Sequence, residues 1–176
     1  MEWARKEWEI LTNGIFESLT EFLLARKGRV LDRRYWNGYP LDLQSGYRLY
    51  NRRGAELALR SFERLPDERA TYLMACEMVP FLEISLESGL VGQVQRMTRV
   101  EQPVSSFKGI DFATSYAMLL VFLRDLYQID SGVVLSVFDN HMLGSEMFFS
   151  SARREVLKCR DLLGGVDVPI HQPSIM

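Results

Sequence analysis

Near the start of the chain the apolar residues Trp8, Leu11, Ile15, Leu19 and Phe22 recur at steps of three and four, and Gly28 stands where a helix commonly ends. The pattern predicts a helix over 2–27. A second apolar line, Trp3, Ile10 and Leu24, is spaced in multiples of seven and falls on the opposite side, and one core easily covers only one face of a helix. Trp3, Ile10 and Leu24 are therefore candidate partner-binding residues. Their cover is either the following segment of the same chain or a partner, including a second copy.

The pattern then changes. Residues 29–50 alternate short aromatic and aliphatic runs with Asn37-Gly38, Pro40 and Ser45-Gly46, which predicts one or two hairpins, because a type I′ turn needs positive φ at both central residues. Helical spacing returns over 54–65, with Ala58, Phe62 and Leu65 inward. It continues over 66–87 through Tyr72, Leu73, Cys76, Val79, Leu82 and Leu86. Pro80 lies inside that second stretch and predicts a kink or break near 76–79, since proline removes one backbone hydrogen bond and clashes with the preceding turn. Over 90–104, Val91, Val94, Met97 and Val100 fit steps of three and are read as a helix ended before Pro103, although Gly92 and the β-branched residues also suit extended backbone.

Residues 110–128 form the clearest core element: no residue between Asp111 and Arg124 is charged and apolar side chains occupy all sides. Asp130 and Ser131 cap a short helix over 133–138, where Val133, Val134 and Val137 would equally suit a buried strand. After Gly144-Ser145 a final helix puts Phe148, Ala152, Val156, Cys159 and Leu163 on one face and stops at Gly164-Gly165. The expected fold class is mostly α (α+β): a helical, bundle-like domain around a central buried helix near 110–128, with a small antiparallel β-hairpin element near 29–50 packed on the first helix. One domain spans 1–165, and the tail 166–176, with Pro169 and Pro173, is extended or disordered.

Composition adds bounds to this picture. At 176 residues, 47% hydrophobic and 25% charged, the chain has the makings of one ordinary core. The charged run Glu2, Arg5, Lys6, Glu7, Glu9 does not resemble a secretory leader, and the longest apolar stretch, 116–123, has 8 residues, against the roughly 20 that span a bilayer. No membrane insertion is expected. Cys76 and Cys159 stand apart with only two His in the chain, so neither a zinc cluster nor a disulfide framework, and no cofactor, is indicated. The two thiols read as small buried hydrophobes, with a single bridge between them as the alternative. Localisation is expected to be cytoplasmic or another reducing intracellular compartment.

Charge changes the picture most. Residues 26–60 hold nine basic side chains against three acidic ones, a local charge of +6 in a chain whose net charge is −2, so the remainder carries −8. Tyr35, Trp36, Tyr39, Tyr47 and Tyr50 are interleaved with them, and arginine outnumbers lysine 17 to 4 in the whole chain. Guanidinium groups pair bidentately with phosphate, and aromatic faces stack on unpaired bases for about 1–3 kcal/mol each. Arg33, Arg34, Arg52 and Arg53 are thus candidate phosphate contacts and Trp36, Tyr39 and Tyr47 candidate stacking platforms for single-stranded nucleic acid, RNA more than DNA. Two other readings fit the same residues. Glu56 precedes Arg60 by four positions, as in a salt-bridged surface helix, and arginine with aromatics is also what protein interfaces enrich.

Catalytic patterns are thin. No phosphate-cradling loop, dinucleotide fingerprint, nucleophile elbow or zinc-protease helix occurs. Asp139-Asn140-His141 with Glu146 is the one place where a His and carboxylates cluster, at a spacing equally suited to helix-end caps, and Glu83 and Glu87 share a helix face without a partnering His. The expected function is a non-enzymatic protein–protein interaction or assembly module that self-associates. The alternative is a single-stranded RNA-binding protein using the basic-aromatic segment.

Overall fold

Apolar residues at helical steps become helices wherever neighbours can cover them. The computed structural model describes residues 2–34, 43, 48–67, 69–87, 89–92, 111–145 and 152–165. Among them run α1 (Glu2–Ala25), α2 (Arg52–Phe62), α3 (Arg69–Leu86), α4 (Phe112–Tyr127), α5 (Ser131–Ser145) and α6 (Arg153–Gly165). Helix α4 packs on α3, α5 and α6, while α1 packs on α3 and α5, so α1 and α4 face each other across the diagonal of a four-helix group. Helix α2 lies on α3, and α6 lies on α4 and α5.

The diagonal is filled by aromatic rings. Trp8 of α1 stacks on Tyr116 of α4 with centroids 5.1 Å apart and planes 12° apart, and Phe112 extends the stack at 6.2 Å from Tyr116. Below it Ile15, Phe16, Leu19, Met78, Leu82, Leu119, Leu120, Leu123 and Phe138 are essentially sealed from solvent. Thr12 and Thr20, buried on α1, donate their hydroxyls to the carbonyls of Trp8 at 2.7 Å and Phe16 at 2.6 Å, so neither is left unsatisfied in the core.

Helix ends are closed by recognisable chemistry. Gly28 takes φ +67°, its N–H reaches Ala25 O at 2.9 Å and the Arg29 N–H reaches Leu24 O at 3.0 Å, a Schellman closure of α1 that glycine adopts without strain. Helix α4 ends the same way on Gln128, at φ 51°, with the Ile129 N–H bonded to Arg124 O at 2.8 Å. At their N-termini, the Asn51 side chain accepts the Gly54 N–H of α2 at 2.7 Å and the Asp111 carboxylate accepts the Thr114 N–H of α4 at 3.2 Å. Helix α6 is seated from a distance: the buried Glu7 carboxylate of α1 accepts the Ala152 N–H at 2.7 Å, one residue before α6 begins.

Several expectations are corrected. The hairpin near 29–50 falls mostly on 35–42 and 44–47, outside the described residues, and the described flanks 29–34 and 48–51 form no strand. Side chains rather than cross-strand pairing hold the first flank: Arg29 donates to the carbonyls of Leu86 at 2.8 Å and Ser85 at 3.1 Å, and Arg34 grips Asp32. Helix α3 runs unbroken through Pro80. The roughly 3 kcal/mol that an interior proline costs is offset by burial of Met78, Val79, Phe81 and Leu82, each contributing about 1.5–3 kcal/mol. The short helix or strand expected over 133–138 is a fifteen-residue helix, because Val134 and Phe138 sit one turn apart facing the core and packing overrides β-branched preference. The helix expected over 90–104 and the tail 166–176 lie outside the described residues, save that 90–92 carries no helix.

Candidate interaction surface

The basic segment serves two different purposes along its length. Near the end of α1 its arginines serve the fold. Arg26 donates to Tyr127 O at 3.3 Å and Gln128 O at 3.2 Å, and Arg29 to the last carbonyls of α3, so two neighbouring cations sit on the C-terminal ends of α4 and α3, where the helix dipole favours positive charge. Arg33 pairs with Glu17 and, at 2.7 Å, with Glu21 of α1. Arg34 pairs with Asp32 and holds that carboxyl below its usual range, and Arg48 donates to Leu43 O. Of the proposed phosphate contacts, then, Arg33 and Arg34 hold carboxylates and Arg52 pairs with Glu56 at 3.1 Å, whereas Arg53 is exposed with no ion pair among the described residues, as is Arg60. Trp36, Tyr39 and Tyr47 lie outside the described residues.

The seven-residue line on α1 does not stay on one face. A straight helix drifts about 20° per heptad, and Leu24 has turned into the core, 1% exposed, while Ile10 remains 65% exposed. The side chain of Trp3 lies outside the described residues.

Helix α2 carries the larger uncovered face. Leu57, Ala58 and Ser61 are buried against α3, but the apolar arc continues past them to Ala55, Leu59 and Phe62, at positions i, i+4 and i+7. Leu59 is 66% exposed and Phe62 39%; Leu49, fully exposed, and Tyr50, 39% exposed, precede the helix. The Tyr50 ring lies against the first turn, 3.6 Å from where a Gly54 Cβ would stand. Arg52, Arg53 and Arg60 occupy the rest of the solvent side with Glu56. Sequence reasoning assigned Phe62 inward and offered a salt-bridged helix as one reading of α2; the signal it missed was that Ala55, Leu59 and Phe62 make a second apolar line beside Leu57 and Ala58.

The catalytic candidates do not converge. Residues two apart on a helix point about 200° apart. Asp139 accordingly faces α6, where Arg160 grips it through two bonds of 2.7 and 2.9 Å, while His141 faces α1 and shares a 2.8 Å hydrogen bond with Ser18. The imidazole sits in the notch left by Gly14, where a Cβ would come within 2.7 Å of Nδ1, and burial holds its pKa below the ordinary value against the opposing pull of Glu17. Glu146 lies outside the described residues. Glu83 accepts from Tyr127 Oη at 2.7 Å and from Arg64 at 2.6 Å, which links α2's end to α3 and α4; burial and that carboxylate push the Tyr127 phenol up. Glu87 is solvent-exposed.

Neither thiol is in a disulfide: Cys159 is buried and pushed up to about 12 by that burial, and half-buried Cys76 is raised for the same reason and by Glu77. A shallow crevice of about 200 Å³ between α4, α5 and α6 is lined by Leu120, Val121, Arg124, Ser131, Val134, Leu135 and Leu163, and its one cation, Arg124, is paired with Asp125 at 2.7 Å. Among the described residues no group of three His, Cys, Asp or Glu is placed to hold a metal ion, and no helix is long and apolar enough to cross a membrane.

No protein-family model matches this chain, and neither a curated protein nor a solved structure matches it significantly.

Proposed function

We propose that this chain is a non-enzymatic protein-interaction or assembly module whose docking edge is α2. The observation that carries the reading is the excess of apolar surface on that helix: α3 covers Leu57 and Ala58, and Leu59 and Phe62 are left in solvent beside arginines. Fully burying side chains of this kind is worth about 1.5–3 kcal/mol each, and aromatic residues with arginine are what interface centres enrich. Ile10, Val30, Tyr72, Leu90, Met118, Leu143 and Leu157, the other large exposed apolar residues among the described ones, are distributed singly over the molecule and need no such explanation. Two thiols outside any disulfide support a reducing intracellular compartment.

Single-stranded RNA binding is the second reading, favoured by Arg53 and Arg60, which are exposed and have no ion pair among the described residues to give up on meeting phosphate. A photo-crosslinking residue placed at position 59, with position 154 of α6 as control, separates the two in the expressing cell. The interaction module gives a discrete protein adduct at 59, absent at 154 and lost when Phe62→Ser is added, and twice the chain mass marks self-association. A nuclease-sensitive adduct replaces this reading with the RNA one. Equal, diffuse labelling at 59 and 154 removes α2 as a docking edge.

A further inference from the structure

We infer that α2 opens as a separate unit: it leaves α3 and melts while the bundle of α1, α3, α4, α5 and α6 stays folded, and the opening stops at Arg64. Helix α2 buries little. Leu57, Ala58 and Ser61 are its buried residues, with one large side chain among them. Among the described residues, every buried apolar side chain except Leu57, Ala58 and Ile84 belongs to one contiguous core, so α2 can leave without opening that core. Its neighbours point the same way. Helix α2 rests on α3 alone among the described helices, whereas α3 is also held by α1 and α4 and keeps its seat when α2 departs. A helix of eleven residues is too short to persist alone in water, so leaving α3 and losing the helical hydrogen bonds are one event.

The boundary lies where the chain rejoins the bundle. Arg64 donates to Glu83 Oε1 at 2.6 Å, the same oxygen that accepts the Tyr127 hydroxyl at 2.7 Å, and its guanidinium stands 5.8 Å from the centre of the Tyr127 ring. Leu65, next to it, packs against the contiguous core. The backbone bonds that join this anchor to α2 are loose: the N–H groups of Glu63, Arg64 and Leu65 reach Arg60 O, Ser61 O and Phe62 O at 3.3, 3.2 and 3.3 Å in the poorer i to i−3 pattern. At the opposite end Leu49 is fully exposed, and the Asn51 side chain caps α2 itself through Gly54. Opening brings Leu57 into solvent with Leu59 and Phe62 and uncovers the outer side of α3. It requires no partner at the α2 edge.

Amide hydrogen exchange of the full chain, followed residue by residue by NMR at increasing urea below the unfolding transition, tests this. Amides of 56–62 should exchange roughly a hundredfold or more faster than those of 116–123 in α4, with a shallower dependence on urea, because opening α2 exposes a small part of what global unfolding exposes. Met78, Val79, Phe81 and Leu82 of α3 should keep the protection of α4. Ile15→Val, in the sealed core, should speed 116–123 by roughly two- to tenfold and leave 56–62 unchanged, since Ile15 stays packed when α2 opens. Leu65→Ala should likewise act on 116–123 and spare 56–62, because its contact survives the opening. Leu57→Ala should speed both sets by the same factor, as both openings give that contact up. Shared protection and urea slope for 56–62 and 116–123, fast exchange of α3 together with α2, equal effects of Ile15→Val or Leu65→Ala on both sets, or exchange at 56–62 indifferent to Leu57→Ala each overturns the separate opening.

Discussion

Helices α4 and α2 differ in how well their apolar arcs are matched by neighbours. Helix α4 has apolar side chains all round and is enclosed by α3, α5 and α6, so Leu119, Leu120 and Leu123 all reach nearly complete burial. Helix α2 has a narrower apolar arc but rests on α3 alone among the described helices, and the part α3 does not cover emerges at Leu59 and Phe62. The difference teaches where to test for a docking surface in a small helical protein: on contiguous apolar arc that the fold leaves uncovered, since apolar arc that is covered explains itself by stability.

The largest test of the contrast is in the covered region. Phe138, wholly buried on α5, should cost about 3–5 kcal/mol when changed to Ala, read by urea unfolding, because the neighbouring helices leave the cavity unfilled. A loss under about 1 kcal/mol would mean that this part of the core is loosely packed. Next in size is the notch between α1 and α5. Gly14→Ala gains about 1 kcal/mol of helix propensity but drives a methyl into the His141 ring, an overpacking that costs about 1–3 kcal/mol, so the net change is destabilising. In a His141→Ala background the same substitution should become stabilising by about 1 kcal/mol. A sign that fails to reverse would show that His141 does not occupy the notch.

His141 gives a smaller, pH-dependent effect. Its pKa in the folded protein lies below the unfolded value near 6.5, so the folded state favours the neutral ring. The unfolded chain therefore binds the extra proton first, and stability is full above about pH 6.5 and declines as pH falls through the folded pKa. Thermal melts between about pH 7.5 and pH 5 should show that slope in the parent chain and a flatter one in His141→Gln. Smallest of all is the uncovered edge: Leu59→Ser should shift unfolding by no more than about 0.5 kcal/mol, since an exposed side chain loses little. A large destabilisation there would place Leu59 in the core and dissolve the comparison between the two helices.

What could be read from the sequence divides along the same line. The helix over 110–128 was legible because an uncharged run with apolar residues on all sides has nowhere to sit but the centre, and α1 because its steps of three and four persist for five residues. Coverage was not legible. Whether Leu24 or Leu59 meets a neighbour depends on which helices pack together, and the periodicities of single segments do not contain that. The arginines show the same limit: composition marked the segment as basic, but that Arg26 and Arg29 serve the ends of α4 and α3 depends on contacts 101 and 57 residues away. The Asp139 and His141 pair was misleading only while a helix end was expected just before Asp139; once α5 runs to Ser145, opposite directions follow from the helical period alone.

The hydrogen bond between Ser18 and His141 joins positions 123 residues apart in the chain. On a ribosome elongating at roughly 5–20 residues per second, α1 is complete about 6–25 s before its partner on α5 has been made. Until α3 and α4 have been made, Trp8, Ile15 and Leu19 have no native surface to rest on, and an isolated helix is only marginally stable in water. Newly made chains thus pass through a stage in which this first amphipathic helix is bare, whatever the stability of the finished bundle.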